Sequence, residues 1–267
     1  MKLRKYIIGS IVLVLGAGIT VSFQNCEDVQ FTSIPTATVD PNDPGQGGLD
    51  QDLPRDIPEI RDEDGNLICE EGKHFGIWLD ENDDGSIENE KFLGSIVPYQ
   101  GDKSAAENYN YYSASAHPYI GPKPDEFSSH VFFYEGSDGL TFNFYFNIDE
   151  GGSPDNIVNW DMETIGNSKK DDVLLSDDAN ELKRSAETQE GHQYEGRFHY
   201  WDNTDGGIIG PFEGEDFYIK VNVLETGDIQ DATFYSEGDR KFSLNNANNK
   251  VSSFIIGFLG YKKCKKQ

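Results

Sequence analysis

The stretch that decides the fold reads Leu140-Thr141-Phe142-Asn143-Phe144-Tyr145-Phe146-Asn147-Ile148. A large apolar side chain occupies every second position. Because successive side chains of a β-strand point to opposite faces of its sheet, this alternation predicts a strand. We expect Leu140, Phe142, Phe144, Phe146 and Ile148 to face the core and the intervening residues to form the opposite face.

Segments on both sides of this strand repeat the alternation. Residues 135–139 have the composition of a hairpin turn, so residues 130–134 are predicted to pair with the central strand. The other predicted strands are residues 74–79, 194–201, 217–223, 232–235, 241–244 and 253–259. The spacing of Asp178 and Glu181 is that of a capping box, which predicts one short helix over residues 178–188. Short strands separated by turns predict an all-β fold, an antiparallel β-sandwich or jelly roll.

The composition excludes one large class of function. The 267 residues include 22 Lys+Arg and 48 Asp+Glu, a formal net charge of −26. A chain this acidic repels a phosphate backbone, so we expect no nucleic-acid partner. Only 36% of the residues are hydrophobic, but aromatic residues reach 12%, which indicates a folded core rather than a wholly disordered chain.

The N-terminus has the pattern of an export signal. Lys2, Arg4 and Lys5 precede an apolar, glycine-interrupted run over residues 6–23 that is short for a membrane span and has no stop-transfer pattern after it. With Cys26 at its end, this region resembles the signal of a bacterial lipoprotein precursor. The family usually has Leu three residues before the cysteine, where this chain has Phe23.

The resemblance implies a lipid anchor on Cys26, which would become the first residue after cleavage of residues 1–25. The protein would then lie in the cell envelope, and we favour the outer membrane, on either its periplasmic or its surface side, with the lipid as its membrane contact. Ordinary cleavage near Ser22, without lipid, is the alternative. Removing residues 1–25 takes away three positive charges and leaves a net charge of −29.

Residues 26–58 and 59–267 differ in character. The first segment is rich in Pro, Gly and Asp and has little periodicity, which is typical of a disordered tether. The second carries all the predicted strands and shows no repeat that would divide it. We therefore predict a signal peptide, a tether and a single β-rich domain.

The cysteine count suggests one disulfide. If Cys26 carries lipid, Cys69 and Cys264 remain as a pair in an oxidising compartment. Their bridge would join the two ends of the β-rich domain. The alternative is two free thiols.

An acidic loop follows the predicted strand at residues 74–79. It offers side-chain oxygens at Asp80, Asn82 and Asp84, a glycine at position 85, and then Ser86 and Glu88. This spacing resembles the calcium loops of EF-hands and of integrin-type β repeats, which implies that Asp80, Asn82, Asp84, the Ser86 carbonyl and Glu88 bind Ca²⁺. The EF-hand pattern breaks at position 12, which is Lys91. The alternative is a polar turn in which Asn, Asp and Gly serve the backbone alone.

Two further groups of residues are candidates for ligand contact. Tyr109, Tyr111, Tyr112 and Tyr119 lie in a segment without strict alternation and could stack on a sugar or a protein partner. Alternatively, the loop buries these rings against the sheet. The acidic turns at residues 177–178 and 202–207 are predicted to be a separate cap and turn, unless the fold brings them together as a second cation site.

The sequence favours a binding or adhesion module over an enzyme. It contains no Gly-x-Ser-x-Gly elbow, no His-Glu-x-x-His pair and no phosphate-binding loop. Ser128, Ser129 and His130 are adjacent, but adjacency does not assemble a catalytic triad. A carbohydrate-active hydrolase is the alternative, since carboxylates are abundant.

Overall fold

The computed structural model describes part of the chain. The described residues are 57, 59–61, 67–81, 90–113, 115–124, 128–146, 156–166, 170–189, 191–200, 203–214, 217–227 and 229–264. The predicted signal peptide, Cys26, the predicted tether except Ile57, Ile148 of the predicted central strand, and four of the five predicted calcium ligands (Asn82, Asp84, Ser86 and Glu88) lie outside them.

The described fold is almost entirely β-structure, as the sequence predicts. Its elements, in chain order, are β1 (Ile60–Arg61), β2 (Leu67–Ile68), β3 (Gly72–Leu79), β4 (Lys91–Ile96), β5 (Tyr99–Gln100), α1 (Ala105–Tyr109), β6 (Ser128–Gly136), β7 (Gly139–Tyr145), β8 (Asn156–Ile165), β9 (Asp172–Ser176), β10 (Leu182–Glu187), β11 (His192–Tyr200), β12 (Gly206–Phe212), β13 (Tyr218–Glu225), β14 (Asp231–Ser236), β15 (Arg240–Ser243) and β16 (Phe254–Lys262). All seven flanking strands that the sequence predicts are present, and β7 is the central one.

Two sheets pack face to face as a β-sandwich. The first has the strand order β10-β11-β8-β13-β16-β3-β4 and is antiparallel throughout. The second has the order β15-β14-β6-β7-β12-β9, with β5 also pairing to β6. Two of its pairs, β14 with β6 and β5 with β6, are parallel, so this sheet is mixed. Strand β14 follows β13, which belongs to the other sheet. No hairpin joins β14 to its neighbour β6, so the two strands can pair in parallel.

The core fills the space between the sheets. The alternation of β7 is confirmed, because Leu140, Phe142, Phe144 and Phe146 all belong to the main apolar cluster. Aromatic rings dominate their contacts: the ring of Phe144 lies 4.9 Å from that of Trp160, edge to face, across the two sheets. Such pairs add stabilisation beyond the burial of their area.

The opposite face of β7 is buried as well. Thr141, Asn143 and Tyr145 are fully buried, because helix α1 and the loop after it cover this side of the second sheet. Thr141 Oγ1 donates to the Tyr134 carbonyl, and Asn143 Nδ2 donates to Thr141 Oγ1 at 2.8 Å. Hydrogen bonds within the strands thus satisfy several of the polar atoms that this cover buries.

The predicted helix over residues 178–188 is wrong. Residues 182–187 form strand β10, which pairs with β11. Glu181 does not cap a helix; its Oε1 accepts a hydrogen bond from the backbone N–H of His199. Pairing with a neighbouring strand has overridden a local capping signal here, as tertiary contacts often do. The capping box that does form lies at Ser104 and Glu107, at the start of α1.

A buried polar cluster closes one open side of the sandwich. Asp171, next to β9 of the second sheet, accepts hydrogen bonds from the Tyr194 hydroxyl at 2.8 Å and Thr164 Oγ1 at 2.9 Å. The same carboxylate lies 3.1 Å from His192 Nδ1. Because its partners belong to the first sheet, this cluster ties the sheets together.

A second polar cluster and the disulfide close the other side. Arg240 of β15 donates to the Glu70 carboxylate and to the Ser95 carbonyl of β4, which joins an edge strand of each sheet. Cys69 and Cys264 form a disulfide with a Cα–Cα distance of 5.7 Å, the pairing that the cysteine count suggested. The beginning and the end of the domain therefore meet at one point.

Candidate ligand-binding site

The segment between β5 and β6 forms a fixed cover over the outer face of the second sheet. At the start of α1, Ser104 Oγ accepts the Glu107 N–H, and the Glu107 carboxylate accepts the Ser104 N–H at 2.9 Å. Asn108 holds the returning chain, because its side chain both accepts from Ile120 N–H and donates to the Ile120 carbonyl, each at 2.9 Å. The loop between these two residues is therefore held in place on the sheet.

The structure divides the four predicted tyrosines into two groups. Tyr109 is only 1% exposed and packs in the apolar cluster beneath the cover, so its ring is not open to a ligand. Tyr111, Tyr112 and Tyr119 are 40%, 54% and 57% exposed. The prediction of exposed rings thus holds for Tyr111, Tyr112 and Tyr119. The alternative, burial against the sheet, holds for Tyr109.

The exposed ring of Tyr112 is held by its neighbours. Tyr112 stacks on His117 with ring centroids 3.8 Å apart, and the backbones of Tyr112 and Ser115 exchange two hydrogen bonds of 3.1 Å. Asn110 Nδ2 donates to the His117 carbonyl at 3.0 Å. A ligand that stacks on Tyr112 would therefore meet a ring that is already ordered, which lowers the entropic cost of binding.

Three carboxyl groups meet beside these rings. The backbone N–H of Asp177 donates to the Gly206 carbonyl at 3.2 Å, and the Tyr109 hydroxyl donates to Asp177 Oδ2 at 2.9 Å. The Asp205 carboxyl shares a hydrogen bond with Glu181. The acidic turn at residues 177–178 and the described part of the second turn, residues 203–207, are therefore brought together.

Burial gives two of these carboxyl groups an unusual charge state. Burial first, and the neighbouring Glu181 second, together raise the pKa of Asp205 to about 9. Burial likewise raises the pKa of Asp177 to about 8, although the hydrogen bond from Tyr109 opposes the shift. Near neutral pH both groups hold a proton, so each can donate as well as accept a hydrogen bond.

The contact between Tyr109 and Asp177 requires a glycine at position 206. A Cβ on Gly206 would lie 2.8 Å from the Tyr109 hydroxyl and 2.4 Å from the Phe144 carbonyl oxygen. Both contacts are too close for a carbon atom, so a larger residue would push Tyr109 away from Asp177.

The exposed rings lie beside the carboxyl groups, of which Asp205 is buried and Asp177 and Glu181 are partly exposed. The ring of Tyr111 lies 6.5 Å from that of Tyr109, and partial burial followed by the charge of Asp177 raises the Tyr111 pKa. We call this surface the tyrosine–carboxyl face and define it by Tyr111, Tyr112, Asp177, Glu181 and Asp205. Tyr119 lies on the same cover, where its ring is 4.7 Å from the Lys103 ammonium. Glu181 was missed by the sequence reasoning, which assigned it to a helix.

The predicted calcium loop falls largely outside the described residues. Asp80 is buried at the end of β3, and Glu81 forms an ion pair of 2.9 Å with Lys91. Within the described part of the chain, no group of three or more His, Cys, Asp or Glu side chains is arranged to hold a metal ion. Calcium binding by Asp80, Asn82, Asp84, Ser86 and Glu88 stays a prediction.

Two groups of residues bear on the alternative of a hydrolase. Glycosidases hold their two carboxyl groups at least about 5 Å apart, whereas Glu181 and Asp205 share a hydrogen bond. Ser129 and His130, two of the three adjacent residues noted in the sequence, are both buried, and His130 Nε2 lies 3.3 Å from the Tyr235 hydroxyl. Both side chains pack within the fold.

The tyrosine–carboxyl face lies at the end of the sandwich opposite the disulfide. Along β7, Tyr145 pairs with Gly206 at the carboxyl groups, whereas Leu140 pairs with Glu135 at the other end. Glu135 forms an ion pair of 2.6 Å with Lys73, which pairs with Tyr261 close to Cys264. The length of β7, at about 3.4 Å per residue, separates the two ends.

Comparison with known proteins adds no relative: no family model, curated protein or solved structure matches this chain. The class that can be stated is therefore structural, an all-β sandwich with a polar and aromatic face at one end. In the described residues there is no helix whose length and apolar character would let it cross a membrane.

Proposed function

We propose that this chain is a lipid-anchored protein of the bacterial cell envelope whose β-sandwich binds an uncharged, hydroxyl-rich ligand, a glycan, at the tyrosine–carboxyl face. The observation that carries the ligand class is the placement of the exposed Tyr111 ring and the exposed, stacked Tyr112 ring beside Asp177 and Asp205, whose raised pKa values keep a proton on each carboxyl group. The lipoprotein-like signal supports the anchor.

Each half of this surface suits a different part of a sugar. Aromatic rings pack against the C–H faces of a pyranose and have a hydroxyl at their edge for hydrogen bonding. A protonated carboxyl group donates one hydrogen bond and accepts others, which matches the hydroxyl groups of a neutral sugar. A cationic ligand would face fewer negative charges here than the residue types suggest, because two of the carboxyl groups are neutral.

Replacing Tyr111 and Tyr112 together by alanine is expected to weaken glycan binding about a hundredfold, because each stacked ring contributes roughly 1–1.5 kcal/mol. The measurement is retention of the purified chain on a panel of immobilised neutral oligosaccharides, followed by calorimetry with the best of them. Tyr261→Ala is the matched control, because this residue is equally exposed, at 54%, but lies at the opposite end. The proposal fails if no neutral oligosaccharide retains the chain or if the double variant binds as tightly as wild type.

The anchor has its own test. Cells that express the chain in a lipoprotein-processing host should incorporate labelled palmitate into it, and Cys26→Ser should abolish this incorporation completely. Cys264→Ser, which removes a thiol of the disulfide but not the predicted lipidation site, should retain the label. Equal labelling of wild type and Cys26→Ser would exclude lipidation at this residue and favour ordinary cleavage near Ser22.

A further inference from the structure

An apolar cavity lies between the two sheets of the sandwich. Its volume is about 40 Å³, and its walls include Phe144 and Phe146 of the β7 segment and Trp160 of β8. Among the described residues that line it, only Ser129 and Thr226 have polar side chains. Such a cavity offers water few hydrogen bonds, so it favours an apolar occupant.

Two neighbouring strands of the first sheet separate at the edge of this cavity. The backbone pairing of β13 with β16 ends at Val221 and Phe254, although β13 itself continues to Glu225. Beyond that pair, the backbone N–H of Val223 donates to the side-chain Oγ of Ser253 at 3.1 Å. The wall of the sandwich is therefore not a continuous ladder of backbone hydrogen bonds here.

A surface pocket of about 550 Å³ lies outside this separation. Val223, Thr226, Ile229 and Val251 line both the cavity and the pocket, so these side chains stand between the two spaces. Leu224, which also lines the pocket, is an apolar residue that is 57% exposed. A molecule bound in the pocket could therefore extend an apolar end between these side chains into the core.

The dimensions and the polar groups define the occupant. Because a protein cavity of about 150 Å³ holds a benzene ring, a cavity of about 40 Å³ is too small for a ring but admits the end of a straight alkyl chain. The outer pocket has groups of both charges, Glu225 and Lys250, and the amides of Gln230 and Asn249. A neutral head group with a hydroxyl suits this mixture of donors and acceptors.

We propose that the cavity and the outer pocket form a second binding site, which takes a neutral single-chain amphiphile with its alkyl end between the sheets and its head in the pocket. This site is separate from the tyrosine–carboxyl face, because none of the five residues of that face is among the described residues that line the cavity or the pocket. A bound chain contacts the indole of Trp160.

Quenching of tryptophan fluorescence tests this site. The chain is produced without residues 1–25 and with Cys26→Ser, so that neither lipid nor detergent competes for the cavity. It is titrated with ω-bromooctanol, because the bromine at the end of this chain quenches an indole only at contact. We expect saturable quenching that is lost in Trp160→Phe and kept in Trp78→Phe, since Trp78 does not line the cavity.

Three further variants change the cavity or serve as its control. Ala232→Val fills part of the cavity and should weaken binding at least tenfold, because each methylene that no longer enters costs about fourfold. Ala186→Val makes the same change at an exposed position of β10 and should bind within about twofold of the parent chain. Leu244→Val enlarges the cavity and should tighten binding about fourfold, which tests the site even if Ala232→Val does not fold.

Four results would overturn the proposal: no saturable quenching of the parent chain, quenching that persists in Trp160→Phe, equal binding by Ala232→Val and Ala186→Val, or displacement of the probe by benzyl alcohol as effectively as by octanol. Tighter binding of ω-bromooctanoate than of ω-bromooctanol would overturn the neutral head group in favour of an anionic one. Because the chain lacks the lipid and its tyrosines are unchanged, these outcomes are independent of the palmitate and glycan experiments.

Discussion

Replacing Cys69 and Cys264 together by serine is expected to lower the free energy of unfolding by about 5 kcal/mol. The bridge joins residues 195 positions apart, and the chain-entropy model assigns a loop of that length a stabilisation of this size. A typical domain has only about 5–15 kcal/mol of total stability, so the variant should unfold at a much lower denaturant concentration. The measurement is urea unfolding followed by tryptophan fluorescence.

Reduction provides the control for this experiment. Dithiothreitol should destabilise the wild-type protein by the same amount and should leave the double-serine variant unchanged. The Arg240–Glu70 contact still holds the segment next to Cys69 in the variant, so its unfolding should remain cooperative. Equal midpoints for oxidised wild type and the variant would show that the ends of the domain are held without the bridge.

Changing Asp205 to asparagine is expected to flatten the dependence of stability on pH. The pKa of Asp205 is raised from 3.8 to about 9 in the folded protein, mainly by burial. Because this pKa is higher in the folded than in the unfolded protein, the contribution of Asp205 to stability is fully present below the unfolded pKa. It is lost as the pH rises from there toward 9. The loss has a slope of up to about 1.4 kcal/mol per pH unit for one proton.

Asparagine keeps the shape of the protonated carboxyl group and cannot ionise. Between pH 6 and pH 8 the Asp205→Asn variant should therefore gain about 2 kcal/mol over wild type, measured as free energy of unfolding at each pH. Asp102→Asn makes the same chemical change in an exposed loop and should track wild type within a few tenths of a kcal/mol. If the slope of Asp205→Asn matches that of wild type, Asp205 is ionised in the folded protein at neutral pH.

Much of the fold could be predicted from the sequence. The alternation of Leu140, Phe142 and Phe144 predicts β7 and its core-facing side, because a strand with one apolar face must bury that face in a single register. The hairpin before β7 followed from its turn residues. Strand β8, in which Val158, Trp160 and Met162 alternate with polar residues, carries the same signal and was overlooked. Strand β12, Gly206–Phe212, has three glycines and a proline and gives no such signal.

The candidate site could be predicted only in part from the sequence. The exposed rings of Tyr111 and Tyr112 lie in a segment that composition alone marks as aromatic. Asp177 and Asp205 could be recognised as members of acidic turns, but their meeting depends on β9 pairing with β12, which the sequence does not encode locally. The spacing of Glu181 from Asp178 predicts a helix cap and not a site residue. In the structure the residues that follow Glu181 form strand β10 instead.

The sequence by itself determined the class of fold and the composition of the acidic turns, because periodicity and composition act over a few residues. Tertiary structure alone decided that helix α1 and residues 115–124 cover the outer face of β7. This cover buries Thr141 and Asn143, although the alternation of the strand predicts a polar face there. It also decided that three carboxyl groups distant in the chain lie together, where burial keeps protons on Asp177 and Asp205. Charge state depends on desolvation, and desolvation is a property of the packed molecule that no short stretch of sequence contains.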